Sequence, residues 1–168
     1  RKELLGNLGL DFTVIKPETE EKPKPGETPA DYVLRNAREK NAWICGRVSK
    51  SHAGGAIVIS ADTIVVIDDK ILEKPLNATE AHDMLISLSG RRHCVLTGVK
   101  ISLAGDDSKA KYKEFVISTE VTIKPLTAPE IDGYIETGEP FDKAGGYAAQ
   151  GIGSFMVQEI SGSYSNVV

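Results

Sequence analysis

The sequence has few cysteines and histidines, and it has no excess of positive charge. Two cysteines and three histidines in 168 residues do not support a disulfide framework or a Cys/His metal site. The 20 lysines and arginines stand against 24 acidic residues, and the formal charge of −4 does not indicate a surface for duplex nucleic acid. No run approaches about 20 apolar residues, so we expect no membrane span.

The two cysteines, Cys45 and Cys94, are interpreted as buried thiols of a reducing compartment rather than as redox groups. No secretory signal is visible, so a cytoplasmic location is expected. A chain of 168 residues with 40% apolar and 26% charged residues is typical of one soluble globular domain, which we expect to span residues 1–168.

Three well-known signatures are also missing: a Walker-type phosphate loop, a dinucleotide fingerprint and a nucleophile elbow. What the sequence does have is an apolar run, Ala56–Ile67, broken only in its middle by Ser60, Asp62 and Thr63. The run predicts a strand covered on both faces. A carboxylate there is costly unless a positive group meets it, so Asp62 is either a structural ion pair or a group at the mouth of a site.

Apolar spacing and turn residues predict the remaining elements. Helix starts are expected at three capping signals: Thr28 before Pro29, Asn77 with Glu80, and Thr127 with Glu130. We expect helices over 2–8, 29–45, 77–90 and 127–138, and strands over 11–15, 71–75, 92–103, 110–123 and 154–160.

Two positions in the first half of the chain have two interpretations each. The loop over residues 16–27 is either a solvated charged loop or the place where Glu18, Glu20 or Glu21 turns inward as a metal ligand. Lys40 falls on the apolar stripe of the helix over 29–45, so it either extends to the edge of that stripe or points into a cleft to meet negative charge.

Lys74 precedes a proline and follows Asp62 across a tight turn, so a hairpin would return it towards Asp62. The alternative is that it only protects a strand edge. The loop over 139–151 contains glycines, the pair Asp142-Lys143 and Gln150, and it is either a ligand loop or a plain turn.

Together, the unusual polar residues are acids and lysines: Glu21, Lys40, Asp62, Lys74 and Lys143. Carboxylates suit Mg²⁺, which binds through one or two of them plus substrate phosphates, and lysines neutralise a polyphosphate. A carboxylate also orients or deprotonates a water. These residue types favour metal-assisted hydrolysis of a phosphoanhydride.

Several motifs resemble, in order, those of the Maf family of nucleoside triphosphate pyrophosphatases. They are Arg1-Lys2-Glu3-Leu4-Leu5, Ser60-Ala61-Asp62-Thr63, Leu72-Glu73-Lys74-Pro75, Leu88-Ser89-Gly90, His93, Thr97-Gly98-Val99, Glu139-Pro140, Asp142-Lys143-Ala144-Gly145, Gln150-Gly151 and Asn166-Val167-Val168. The resemblance implies cleavage between the α- and β-phosphates. It also implies an α/β fold similar to the inosine triphosphate pyrophosphatases, with a long mixed twisted sheet, flanking helices and two lobes around a cleft.

The resemblance assigns roles to individual residues. It implies that Asp62 is the proton acceptor and that Thr63 and Gln150 accompany selectivity for dTTP and UTP. It also implies that metal and phosphates are held by Glu21, Asp62, Lys40, Lys74 and Arg1. Arg1 matches the second arginine of the family's opening motif. Lys143 is a further phosphate-binding candidate.

The resemblance further implies Mg²⁺ or Mn²⁺ as cofactor, a homodimer and a house-cleaning role in nucleotide metabolism. The family's first strand and last helix are expected to be missing from these 168 residues. Two alternatives to a dTTP/UTP pyrophosphatase stay open: the branch that acts on 7-methyl-GTP, and a nucleotide-binding regulator of cell division that does not turn over.

Overall fold

The computed structural model describes residues 2–48, 56–104 and 112–168. The helices are α1 (Lys2–Asn7), α2 (Pro29–Val48), α3 (Ala78–Leu88), α4 (Ala128–Glu136) and α5 (Tyr164–Val167). The strands are β1 (Ala56–Ile67), β2 (Lys70–Leu72), β3 (Arg92–Ala104), β4 (Tyr112–Ile123) and β5 (Val157–Ser161). Three 3₁₀ turns cover Glu139–Asp142, Ala144–Gly146 and Ile152–Met156. Within the described ranges, no helix has both the length and the apolarity needed to cross a membrane.

The predicted helix starts are confirmed by their hydrogen bonds. The amide of Asp31 donates to Thr28 Oγ1 at 3.2 Å, at the start of α2. The amide of Glu80 donates to Asn77 Oδ1 at 2.9 Å, at the start of α3. The carboxylate of Glu130 accepts from the amide of Thr127 at 2.8 Å, which completes the capping box of α4. Each cap pairs a backbone group that the first turn leaves unsatisfied.

The five strands form one sheet in the order β2-β1-β3-β4-β5, and with the flanking helices this confirms the α/β class. The sheet is antiparallel, whereas the resemblance implied a mixed one. A two-residue turn at Asp68 and Asp69, both with positive φ, joins β1 to β2 and permits only antiparallel pairing. β4 and β5 also pair in antiparallel sense.

The chain divides into two compact units. The first contains Arg1–Asp62 and Thr97–Val116, and the second contains Thr63–Leu96 and Ile117–Val168. A small apolar cluster in the first unit consists of Ile44, Val48, Val58 and Ala104. A larger one in the second unit is built around Val65, Leu85, Leu88, Val95, Val121, Ile123, Ile131, Tyr134 and Met156.

The strand predicted over residues 11–15 is wrong. The segment has no ladder partner among the described residues, and Phe12, Val14 and Ile15 are exposed, so an alternating pattern alone does not produce a strand. The last strand begins at 157 rather than 154, because a 3₁₀ turn occupies 152–156.

Two expectations about burial are also corrected. β1 was expected to be covered on both faces, but Ile57 and Ile59 near its start are 71% and 46% exposed. The residues that alternate with them, Val58 and Ser60, are buried. Cys45 and Cys94 are free thiols, as expected, but each is only half-buried. In both cases the residue type indicated an apolar environment, whereas coverage depends on which face a neighbouring helix reaches.

Candidate active site

Asp62 lies on β1 with a side chain only 8% exposed, and helix α2 supplies a donor to each of its oxygens. Lys40 Nζ donates to Oδ1 at 2.7 Å, and Asn36 Nδ2 donates to Oδ2 at 2.9 Å. Asn36 and Lys40 are one helical turn apart, so they share the face of α2 that meets the strand. Asp62, which interrupts the apolar run of β1, is therefore a carboxylate with a hydrogen-bond donor at each oxygen.

Lys40 also contacts the charged loop, because its Nζ lies 2.9 Å from Glu21 Oε1. The Lys40 side chain is 14% exposed, so it turns inward towards negative charge rather than out to solvent. Burial opposes the charge of this ammonium, but the ion pairs with Asp62 and Glu21 outweigh it and raise the pKa of Lys40. Of the three loop acids, Glu21 is the one that contacts Lys40, although its side chain is 43% exposed, whereas Glu20 pairs with Lys22 on the surface. The role of Glu21 as a metal ligand stays a prediction.

Arg35 holds the loop that carries Glu21 against α2. Its guanidinium donates to Glu27 through Nε at 2.6 Å and Nη2 at 2.9 Å, and Nη2 also donates to the carbonyl of Lys22 at 2.9 Å. Nη1 donates to both carboxylate oxygens of Glu39 at 3.2 Å. The Arg35 hydrogen bonds lower the pKa of Glu27 to about 2. In the sequence, Glu21 directly precedes Lys22, and Lys22 and Glu27 are the two loop residues that Arg35 contacts.

The position of α2 on the sheet is set by close backbone approach. Gly98 of β3 lies against α2, since a side chain at this position would collide with the carbonyl oxygen of Val33. Ser60 Oγ donates to the carbonyl of Ala37 at 2.8 Å. The residue that approaches Gly98 is therefore part of a helix backbone.

In the second unit, two of the predicted phosphate-binding lysines affect the carboxylate of Asp142, one by an ion pair and the other by its charge alone. Lys143 forms an ion pair with Asp142, and Lys74 lies beyond β2 in an exposed position. The hydrogen bond from Lys143 is the main cause of the lowered pKa of Asp142, and the charge of Lys74 adds to it. The amide of Gly145 donates to the carbonyl of Glu73 at 3.0 Å, which links the segments that carry the two lysines.

Glu139 fixes the loop that follows Gln150. Its carboxylate accepts from the amides of Ile152 at 3.1 Å and Gly153 at 2.8 Å. Burial opposes the charge on Glu139, but these backbone donors and the hydroxyl of Tyr134 outweigh it and lower the pKa of Glu139. Gln150 itself is exposed. The glycine-rich segment is therefore anchored by Glu139, and a ligand-binding role for it stays a prediction.

The same chain matches the family model described as "Maf-like protein" over residues 1–168. The chain belongs to the Maf family.

Curated relatives support the same assignment over the whole chain. A "dTTP/UTP pyrophosphatase" of Anaeromyxobacter dehalogenans (strain 2CP-C) is 48% identical over 172 residues, which cover 100% of this chain and 81% of the relative. A protein of the same name from Vibrio vulnificus (strain YJ016) is 45% identical, with 100% and 86% covered. A third, from Thermoanaerobacter sp. (strain X514), is 46% identical, with 100% and 84% covered.

The remaining site residues of this Maf-family chain are placed as follows. Thr63 follows Asp62 on β1 and is half-buried. Arg1 lies outside the described residues. Asn36 directly contacts Asp62 and was not among the residues predicted from the sequence. Its position one helical turn before Lys40 was the available signal.

The groups around Asp62 include few ligands for a divalent metal. Among the described residues, no three His, Cys, Asp or Glu side chains are grouped closely enough to hold an ion by themselves. Glu21 and Asp62, however, converge on one ammonium and supply two carboxylates. Mg²⁺ usually takes one or two protein carboxylates and completes its shell with water and substrate phosphate. The residues therefore fit a cation that binds together with its substrate.

Proposed function

We propose that this Maf-family chain is a nucleoside triphosphate pyrophosphatase that hydrolyses dTTP and UTP to the monophosphate and pyrophosphate. The observation that carries the proposal is the ion pair of Asp62 with Lys40, which Glu21 joins from the more exposed side, in a chain whose relatives are named dTTP/UTP pyrophosphatase. Hydrolysis of a charged anhydride needs a proton acceptor and a positive charge. Asp62 is the candidate acceptor, and the ammonium of Lys40 beside Asp62 and Glu21 is the positive charge.

In the proposed reaction, a water oxygen bonds to the α-phosphorus while the bond from that phosphorus to the bridging oxygen breaks. Asp62 accepts the proton of the attacking water, and pyrophosphate leaves with the bond's electron pair. Lys40, whose pKa is raised by Asp62 and Glu21, stays charged and offsets negative charge that develops on the phosphate.

The other predicted residues bind and select the substrate. We propose that Glu21 and Asp62 hold Mg²⁺ or Mn²⁺, which when bound offsets the negative charge of the phosphates. Lys74, Lys143 and Arg1 bind the phosphates of the leaving group. Thr63 and Gln150 favour thymine and uracil.

The test is pyrophosphate release by the full-length protein with a panel of dTTP, UTP, dCTP, dATP and 7-methyl-GTP. Asp62→Asn is expected to lower kcat by roughly 10²–10⁴-fold with dTTP. Asp68→Asn is the matched control, because Asp68 is an exposed turn acid paired with Arg91. Full activity of Asp62→Asn would overturn the assigned role.

The same panel separates the alternatives. Preference for 7-methyl-GTP would indicate the other branch of the family. Nucleotide binding without pyrophosphate release at saturating Mg²⁺ would indicate a regulator that binds without turnover. A homodimer, which size-exclusion chromatography with light scattering would detect, and a cytoplasmic location stay predictions, as does the lack of nucleic-acid binding.

A further inference from the structure

Asn36 is a buried amide with one end paired and the other end unpaired. Its side chain is 1% exposed, and Nδ2 donates to Asp62 Oδ2 at 2.9 Å. Its Oδ1 is buried without a hydrogen-bond partner among the described residues. An unpaired buried amide oxygen lowers stability, so packing alone would favour an apolar side chain of this size.

Asn41, on the same helix, shows what a structural asparagine looks like in this protein. Its side chain is 2% exposed, and both ends of the amide are used. Nδ2 donates to the carbonyl of Val58 at 3.2 Å, and Oδ1 accepts from Ser102 Oγ at 2.6 Å. Asn36, by contrast, directs its Nδ2 hydrogen bond at the candidate proton acceptor.

We propose that Asn36 is a positioning residue that fixes the orientation of the Asp62 carboxylate for the reaction; the proposal rests on the function proposed above. Asn36 holds Oδ2 while Lys40 holds Oδ1, so the carboxylate cannot rotate without breaking both bonds. A group held in one orientation by two donors is preorganised for proton transfer. Asn36 contributes through Asp62 and does not itself need to touch the substrate.

The experiment compares Asn36→Leu with Asn41→Leu, which removes an equally buried amide from the same helix. Asn36→Leu is expected to lower kcat for dTTP by about tenfold or more while KM stays within about twofold. Asn41→Leu is expected to lower the melting temperature but to keep kcat of the folded protein within about twofold of the wild type. Asn36→Ser replaces the leucine variant if that variant does not fold.

Two results would overturn the proposal. One is a kcat of Asn36→Leu within about twofold of the wild type, per folded protein. The other is an equal loss of kcat in Asn41→Leu, which would indicate a general effect of burying leucine in α2.

A second measurement does not depend on turnover. Urea unfolding of Asn36→Leu, Asp62→Ala and the double variant is expected to be non-additive, the double variant being less destabilised than the sum of the single ones. Additivity would show that the two side chains do not depend on each other. A wild type that hydrolyses none of the nucleotides would refute the proposed function, while this cycle still decides whether Asn36 positions Asp62.

Discussion

Lys40 Nζ lies 2.7 Å from Asp62 Oδ1, and both side chains are largely withdrawn from solvent. Removing one partner of a buried ion pair leaves the other charge uncompensated, which costs about 3–5 kcal/mol when burial is complete. Because Lys40 is still 14% exposed, Lys40→Met is expected to lower the free energy of unfolding by about 3 kcal/mol at neutral pH. Urea titration measures it.

The control for that variant is Lys24→Met. In the wild type, the ammonium of Lys24 forms an exposed pair with Glu39 at 3.9 Å. Equal stability of the two variants would contradict the importance of the buried pair. The raised pKa of Lys40 sets the pH range: its contribution is complete below the ordinary value of 10.5 and is lost as pH rises through the higher folded-state value. The difference between wild type and Lys40→Met should therefore be constant at neutral pH and shrink above about pH 10.5.

Arg35→Lys is expected to loosen the loop over residues 16–27. A lysine cannot reproduce the paired hydrogen bonds to Glu27 together with the bond to the carbonyl of Lys22. Hydrogen exchange of the loop amides should accelerate, and stability should fall by about 1–3 kcal/mol.

Arg38→Lys is the matched comparison, because Arg38 pairs with Glu114 of β4 and not with the loop. If both variants leave exchange in residues 16–27 unchanged, Arg35 does not hold the loop.

Glu139→Gln is expected to weaken substrate selection more than turnover. Replacing the carboxylate by an amide leaves the amides of Ile152 and Gly153 with one neutral acceptor oxygen, so the anchor of the loop after Gln150 is weakened. We expect KM for dTTP to rise about fivefold and the preference for dTTP over dCTP to fall, with a smaller change in kcat. Steady-state kinetics with Glu136→Gln, an exposed acid at the end of α4, provide the control. Unchanged selectivity would remove Glu139 from this role.

Because His93 is buried in the second unit, we expect the stability of the protein to fall in acid. Burial lowers the pKa of His93 to about 4 from 6.5, and its Nε2 lies 2.7 Å from the hydroxyl of Tyr147. The unfolded chain therefore takes up a proton before the folded one does, so stability is complete above about pH 6.5 and falls as pH drops towards 4, by about 3 kcal/mol.

His93→Gln should lose this acid dependence, and unfolding measured between pH 7 and 4 would show it. His82→Gln, a substitution of a half-exposed histidine on α3, should retain it. A wild type whose stability is flat over that range would contradict the prediction.

Local signals predicted the fold better than they predicted the site. The caps at Thr28 and Asn77 are contained in four consecutive residues each, and both are as expected. The failed strand at 11–15 shows the limit, because pairing requires a partner that the segment's own residues do not specify. Which face of β1 is buried likewise depends on the position of α2, and the residues of β1 alone do not specify that position.

At the site, the sequence could name Asp62, Lys40 and the charged loop, but it left the direction of Lys40 and the choice among three acids undecided. Those choices are made by contacts between residues far apart in the chain. Asn36 shares a helix face with Lys40, but that spacing alone does not indicate which acceptor the face meets, so its contact with Asp62 was not predicted.

Gly98 gives this arrangement a mechanical consequence. The carbonyl of Val33 occupies the space where a side chain at position 98 would begin. The absence of a side chain at Gly98 therefore sets the distance between α2 and β3. Asn36 and Lys40 both belong to α2, so their positions depend on that distance. A bulkier residue there would lengthen both links to Asp62 together, so the alignment of the carboxylate is governed by a residue that carries no functional group at all.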